Sequence, residues 1–452
     1  MHLFRRSTEC RTVLLSVSLT ALAAMRGVAH TGVRSHHRSF EGGTARRPSR
    51  PRLGMLHACR WLICAVGRRR GKKWARLSSH PVVTALLVTT GIGGLGIGAE
   101  YVSRPVLRVV EIDAAQAPLL NGDLSDPAWN KAQPVFVTTT QGGDFGGERQ
   151  SRVEIRALHD GQYAYFAFVW EDPTRSLKHL PLVKRGGQWY IGASRTDLAD
   201  EKKYHEDKFA VLLARPGFPL IGAAIHLARR PLPNMPPSIT GRGLHYTIDG
   251  SVADVWQWRA SHGGPDGAID NCHFGGPTPQ GQDGGSVKSH YSGGFALDPG
   301  PIPYQSNYVS EPGHAGGSIA MPRRLPRDLP AMAKAMGRIG DDPKESESEG
   351  SRWWMTMAES APYSQALDAQ VPDRTVIPGV LAADRTEEKP SSIRGAARWA
   401  AGRWTLEVAR RLHTGSRYDI PVKSGVLLWV AAFDHAEKRH TRHLRPFRLD
   451  VE

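Results

Sequence analysis

The stretch Gly241–Ala260, GRGLHYTIDGSVADVWQWRA, sets a potential metal ligand beside two large flat side chains. His245 precedes Trp256 and Trp258, which alternate along what reads as a strand, so both indoles point the same way. Imidazole is a common metal ligand, and two indoles on one face make an apolar wall. A second group of histidines closes the chain: His435, His440 and His443 within FDHAEKRHTRHLRPFRL. If that segment is extended, residues 440 and 443 face opposite ways, and only one of them can share a pocket with His245. His435 falls in a turn.

Other chemistry is missing from the sequence. There is no G-x-S-x-G elbow, Walker loop, Rossmann fingerprint or HExxH pair. The four cysteines, Cys10, Cys59, Cys64 and Cys272, include no Cys-x-x-Cys-His, so covalent attachment of a c-type haem has no support. The chain reads as a carrier or binder, not as an enzyme.

The net charge of +16 suggests nucleic acid until it is located. Residues 1–80 hold 17 Lys and Arg against Glu9 and Glu41, which leaves 42 basic and 41 acidic residues over 81–452. The folded part is close to neutral, so no nucleic-acid-binding face is expected there. Residues 1–80 read as a basic, poorly ordered arm. Val82–Ala99 then carries no charge over 18 residues. A helix of that length spans ~27 Å, near the ~30 Å of a bilayer core. Arg68, Arg69, Arg70, Lys72, Lys73 and Arg76 precede it, which puts the basic side in the cytoplasm. The expectation is one transmembrane anchor over 81–103, with residues 104–452 periplasmic or extracytoplasmic.

From Val106 the texture changes to short alternating apolar runs broken by Gly, Pro, Asn and Asp, the pattern of an all-β, antiparallel sandwich. VLRVVEI reads as a first strand, and Asp126-Pro127 as the start of a short helix. Residues 151–172 read as a hairpin turning at His159-Asp160-Gly161-Gln162. HEDKFAVLLA and GVLLWVAAFD read as buried strands, and Arg394–Leu412 as a second hairpin turning at Ala401-Gly402. Residues 275–350, rich in Gly, Pro and Ser, read as a long loop insertion with one short helix around Met332 and Met336. Pro446 marks the last strand as a sheet edge.

Several segments in fixed order resemble the haem-binding domain related to the γ subunit of ethylbenzene dehydrogenase, also called the cytochrome c-552/DMSO-reductase-like haem-binding domain. They are LNGDLSDPAWNKA, the hairpin ending FVWED, YHEDKFAVLLA, VADVWQWRA and ARWAAGRWTLEVARRLHTG. The resemblance covers about Val106 to Glu452, and its opening NGDLSDPAW is shared with carbohydrate-binding modules. It implies a sandwich that holds one non-covalent haem b and passes electrons to redox partner proteins in the membrane or periplasm. Where better-known members place a methionine before the W-x-W strand and a lysine near the C-terminus, this chain has His245 and His443. The expected ligands are therefore His245 and His443, with His440 as the alternative. Trp256 and Trp258 are expected to wall the pocket, Arg259 to meet a propionate, and His205 to lie beside it. The competing reading is a non-catalytic carbohydrate-binding module that uses the two tryptophans as a stacking platform.

Overall fold

The computed structural model describes residues 104–191, 204–216, 225–227, 245–263, 267–276, 278–280, 290–292, 294–300, 302, 304–310, 319–339, 345–382, 393–437 and 439–452. All of them belong to the second of two units into which the chain divides, Leu87–Glu452. The expected arm over 1–80 and anchor over 81–103 lie outside the described residues. Among the described residues, no helix is long and apolar enough to cross a membrane.

The fold is mostly β. Twelve strands form one hydrogen-bonded sheet: β1 (Val106–Glu111), β2 (Val135–Thr140), β3 (Gln150–His159), β4 (Tyr163–Glu171), β5 (Lys208–Ala214), β6 (Ala253–Arg259), β7 (Ile269–Phe274), β8 (Phe295–Leu297), β9 (Ile393–Ala400), β10 (Arg403–Arg411), β11 (Leu427–Phe433) and β12 (Phe447–Val451). Their order is β8-β7-β6-β5-β11-β12-β1-β3-β4-β10-β9, with β2 paired to β3. β1 joins two halves, pairing with β12 through Val106–Val109 and with β3 through Val110 and Glu111. Both pairings are parallel, so the sheet is not purely antiparallel as the sequence suggests.

Alternation decides what each half buries. In β4, Phe166, Phe168 and Trp170 point inward, while Tyr165 and Ala167 join a smaller outer cluster with Trp129. β5 sends Phe209, Val211 and Leu213 inward, and β6 sends Trp256 and Trp258. The two halves face each other through these rings. Phe166 meets Trp256 edge-on at 5.5 Å, Trp170 stacks on Phe209 at 4.5 Å, and Trp258 meets Trp404 at 4.8 Å. Each such pair contributes ~0.5–1.5 kcal/mol beyond the area it buries.

Both expected hairpins form. Asp160 accepts hydrogen bonds from the Gln162 and Tyr163 amides at 2.8 and 2.6 Å and closes the β3–β4 turn. Ala401 and Gly402 take the positive φ values of 49° and 75° that a two-residue β9–β10 connection requires. The buried Glu407 of β10 explains the NGDLSDPAW segment: it accepts the Asn121 and Gly122 amides and the Trp129 indole N–H at 2.7, 2.6 and 2.6 Å.

Two expectations need correcting. The C-terminal strand β12 is not an edge, because it lies between β11 and β1. Pro446 precedes the strand, so its missing N–H removes no ladder bond. The described parts of residues 275–350 are not a bare loop either. Tyr304–Ser306 pairs with Val380–Ala382, and Arg324–Pro326 pairs with Ser360–Pro362. A helix, α1 (Leu329–Met336), is capped by the Asp328 side chain and docks Met332 and Met336 into the main core. Loop-like composition hid strands whose partners lie tens of residues away.

Candidate functional site

The outer face of the β7-β6-β5-β11 half carries the histidine chemistry. Residues alternate, so Arg259, Gln257 and Val255 of β6 share this face with Lys208, Ala210 and Leu212 of β5 and with Phe433, Ala431 and Trp429 of β11. Val255, Leu212 and Trp429 pack with Cys272 and Phe274 into an apolar patch. The next row, Gln257, Ala210 and Ala431, is only half-buried and has two small side chains.

Across this face runs a chain of four rings. Phe274 meets His245 edge-on at 5.5 Å, His245 meets His440 at 5.4 Å, and His440 meets Phe433 at 4.9 Å. The Nε2 atoms of His245 and His440 are 3.2 Å apart. Local structure holds both residues. The His245 carbonyl accepts the Gly294 amide at 2.8 Å. The Thr441 amide, beside His440, donates to the Ala432 carbonyl at 2.9 Å, and Arg442 exchanges two main-chain bonds with Thr140. Only glycine fits at 142, where a Cβ would sit 1.8 Å from the His440 carbonyl oxygen.

The tautomers follow from these bonds. His440 donates Nδ1–H to the Thr441 carbonyl at 2.9 Å, which leaves its Nε2 a bare acceptor. In this contact the hydrogen between the two rings is carried by the His245 Nε2, and His245 would have to shift it to Nδ1 before its Nε2 could ligate a metal. Burial, then the neighbouring His440 and Arg442, push His245 down to about 3. Burial lowers His440 as well. Both rings are neutral at neutral pH, the form that ligates a metal.

His443 plays another part. Its Nε2 accepts the Val430 amide at 2.9 Å and its Nδ1–H donates to the Arg445 carbonyl at 2.8 Å, so both nitrogens are taken by main chain. The structure therefore pairs His245 with His440, not His443. The reason is that β11 pairs with β12 only through Leu427 and Leu428. Beyond them, His443 and the Thr441 hydroxyl satisfy the amides of Val430 and Ala432 in place of a strand. The segment is not a strand there, and alternation does not govern it.

The other expected site residues are dispersed. Trp256 and Trp258 are 1% and 5% exposed and point into the core, on the opposite side of the sheet from His245. Arg259 is held by Glu206 at 3.1 Å and lies over the Tyr304 ring. His205 lies 3.7 Å from Glu437, in a buried group with His179, Glu206 and His262.

That group has ligand spacing: His179, Glu206 and His262, and likewise His179, His205 and Glu437, place donor atoms within 4.8 Å of one another. Its charges are already matched, with Glu206 on Arg259 and His262, and Glu437 on Lys208. Despite burial, His262 and Arg259 hold Glu206 well below the usual carboxylate range. An added cation would have no counter-charge, so the arrangement is an ion-pair network. A third group, Asp172, Asp207 and Asp434, lies at the ends of β4, β5 and β11. Of the residues in these groups the sequence points only to His205. Their signals were the acidic pairs at strand ends, Glu171-Asp172 and Glu206-Asp207.

The chemistry of the donors at His245 and His440 suits a haem iron. Two neutral imidazoles converge by Nε2 over an apolar face, and the Thr441 carbonyl orients one of them, as carbonyls orient metal-bound histidines. His245 and His440 would hold the iron through Nε2, and from their present 3.2 Å contact the rings would have to part to admit it.

Fold and site together define a mostly β domain with a close imidazole pair, His245 and His440, on an outer sheet face. The family model for ethylbenzene dehydrogenase matches residues 126–445, and the chain belongs to that family. No curated protein sequence matches it. Solved structures that resemble it include a family 9 carbohydrate-binding module from Caldicellulosiruptor kristjanssonii in complex with glucose, at 8% identity and a TM-score of 0.27, covering 76% of this chain and 95% of that one. A putative carbohydrate-binding protein from Bacteroides uniformis is 7% identical at a TM-score of 0.29, covering 77% and 100%.

Proposed function

We propose that this chain is an electron carrier that binds one haem b, non-covalently, between His245 and His440. The observation that carries this reading is the convergence of two neutral Nε2 donors, 3.2 Å apart, flanked by Phe274 and Phe433. A haem with two imidazole ligands exchanges single electrons between ferric and ferrous iron and leaves no position for substrate. His440 contributes a fixed donor atom through its bond to the Thr441 carbonyl. Phe274 and Phe433 pack against the pair, and two small side chains, Ala210 and Ala431, lie on the same sheet face beside Phe433. Membership in a family named for a dehydrogenase fits a carrier role, since dehydrogenation releases electrons that another protein must accept.

The carbohydrate-binding alternative loses its stacking platform, because Trp256 and Trp258 are core residues. The proposed setting is a single anchor over 81–103 with the β domain outside the cytoplasmic membrane, next to redox partner proteins. That part rests on the charge pattern of the sequence alone.

The test is spectroscopic. Purified full chain supplemented with haem should show the Soret and visible bands of a low-spin, six-coordinate species. Folded protein that takes up no haem would end this reading.

A further inference from the structure

We infer that Arg442 takes a propionate of the haem and so sets how the macrocycle is turned between His245 and His440, an inference that rests on the proposed haem-carrier role.

Arg442 lies two residues after His440, and its main chain is fixed by two hydrogen bonds with Thr140, both of 2.9 Å. Its guanidinium is bracketed by neighbours of both rings. One Nη donates to the Gln141 side chain at 3.1 Å, and Gln141 precedes Gly142, which lies against the His440 carbonyl. The other Nη donates to the Leu227 carbonyl at 3.4 Å. Leu227 packs on the apolar patch that includes Phe274, and Phe274 meets His245 at 5.5 Å. The positive charge is near enough to add to the burial that keeps protons off both imidazoles.

What this guanidinium lacks is an anion. Arg259 and Arg410 each meet a carboxylate, Glu206 and Asp254. Among the described residues Arg442 has only an amide oxygen and a carbonyl, and its Nε–H is buried without an acceptor. A buried donor on a charged group calls for a partner. Nε–H beside Nη–H is an edge that can take both oxygens of one carboxylate.

A haem supplies such a group. Two axial imidazoles fix an axis through the iron but leave the ring free to turn about it, so a rim anchor decides the angle. The sequence gives that part to Arg259, which Glu206 already holds. Arg442 stands beside the ligand pair and is uncommitted to any described carboxylate.

The experiment compares haem with its dimethyl ester, whose propionates carry no charge, by rates of loss from the full chain to apomyoglobin. Wild type should hold haem about ten-fold more tightly than the ester, as the loss of a charged hydrogen-bonded pair implies. Arg442→Gln should hold haem as weakly as wild type holds the ester, and should hold the ester no worse than wild type does. Its spectrum should stay low-spin, because both imidazoles remain. Arg442→Lys should recover part of the loss. A merely structural role would weaken haem and ester alike, and that result would overturn the assignment, as would unchanged haem affinity in Arg442→Gln. If the variant does not fold, the wild type decides alone, since equal affinity for haem and ester would refute the anchor. A wild-type chain that takes up neither ends the carrier role and this inference together. Failure in the ester comparison alone removes only the propionate contact.

Discussion

His245 and His440 meet Nε2 to Nε2 across the outer face of the sheet, while His443, three residues further on, spends both nitrogens on main chain. One segment thus holds a free donor and a structural clamp. His440→Ala should abolish haem uptake or leave a high-spin, five-coordinate spectrum, with little change in the unfolding midpoint. His443→Ala should do the reverse. It strands the Val430 amide and should cost about 1–3 kcal/mol in denaturant titration, while the haem spectrum stays low-spin. A wild-type spectrum in His440→Ala would place the ligand elsewhere.

The pair Asp254–Arg410 joins β6 to β10 and so spans the two facing halves. Its atoms lie 2.6 Å apart with neither side chain exposed, and both residues also bond the main chain of Ile420. Arg410→Met leaves Asp254 buried without its partner and should destabilise the chain by about 3–5 kcal/mol. Replacing both, as Arg410→Met with Asp254→Leu, should recover most of that loss. If the double variant is no more stable than the single one, the main-chain bonds to Ile420 matter more than the ion pair.

Asp160 gives a prediction about pH. Burial opposes its charge, but the Tyr163 amide, the Tyr165 hydroxyl and the Gln162 amide outweigh it and hold the carboxyl below its ordinary 3.8. A depressed carboxylate contributes stability that is present above the unfolded-state value and lost as pH falls through the folded one. The contribution should therefore be intact above about pH 4 and disappear in more acid solution. Asp160→Asn should lose about 1 kcal/mol at neutral pH, and its deficit should shrink in acid. A deficit that is constant with pH would show that the charge of Asp160 contributes nothing to the turn.

Much of the fold is legible in the sequence because it rests on local signals. The β3–β4 turn is written in Asp160-Gly161, the β9–β10 turn in Ala401-Gly402, and β4 as central in its two apolar faces. The site is less legible. Trp256 and Trp258 were rightly given one face, but a period of two cannot say which side of the sheet is the core. His443 is expected over His440 because it falls near the family's lysine, and alternation, which says only that one of the two can enter the pocket, does not govern a segment whose side chains replace a strand along β11. The three aspartates come together only through the β4, β5 and β11 ends, residues more than 30 positions apart.

The alanine row offers the sharpest test of where haem would sit. Ala431 and Ala210 are register partners on the outer face, half-buried, beside Phe433, which contacts His440. A large side chain at 431 rises from the face without entering the core, since Val430 and Ala432 are the neighbours that point inward. Ala431→Trp should therefore leave the unfolding midpoint within about 0.5 kcal/mol of wild type, as expected for a substitution outside the core. The indole should fill the space next to His440 and weaken haem binding at least ten-fold. The control is Ala432→Trp, on the inner side of the same strand, which should overpack the core and cost about 1–3 kcal/mol. Haem titration and denaturant unfolding of both variants separate the cases. If Ala431→Trp binds haem as the wild type does, the macrocycle does not lie over the alanine row, and His245 and His440 owe their proximity to packing alone.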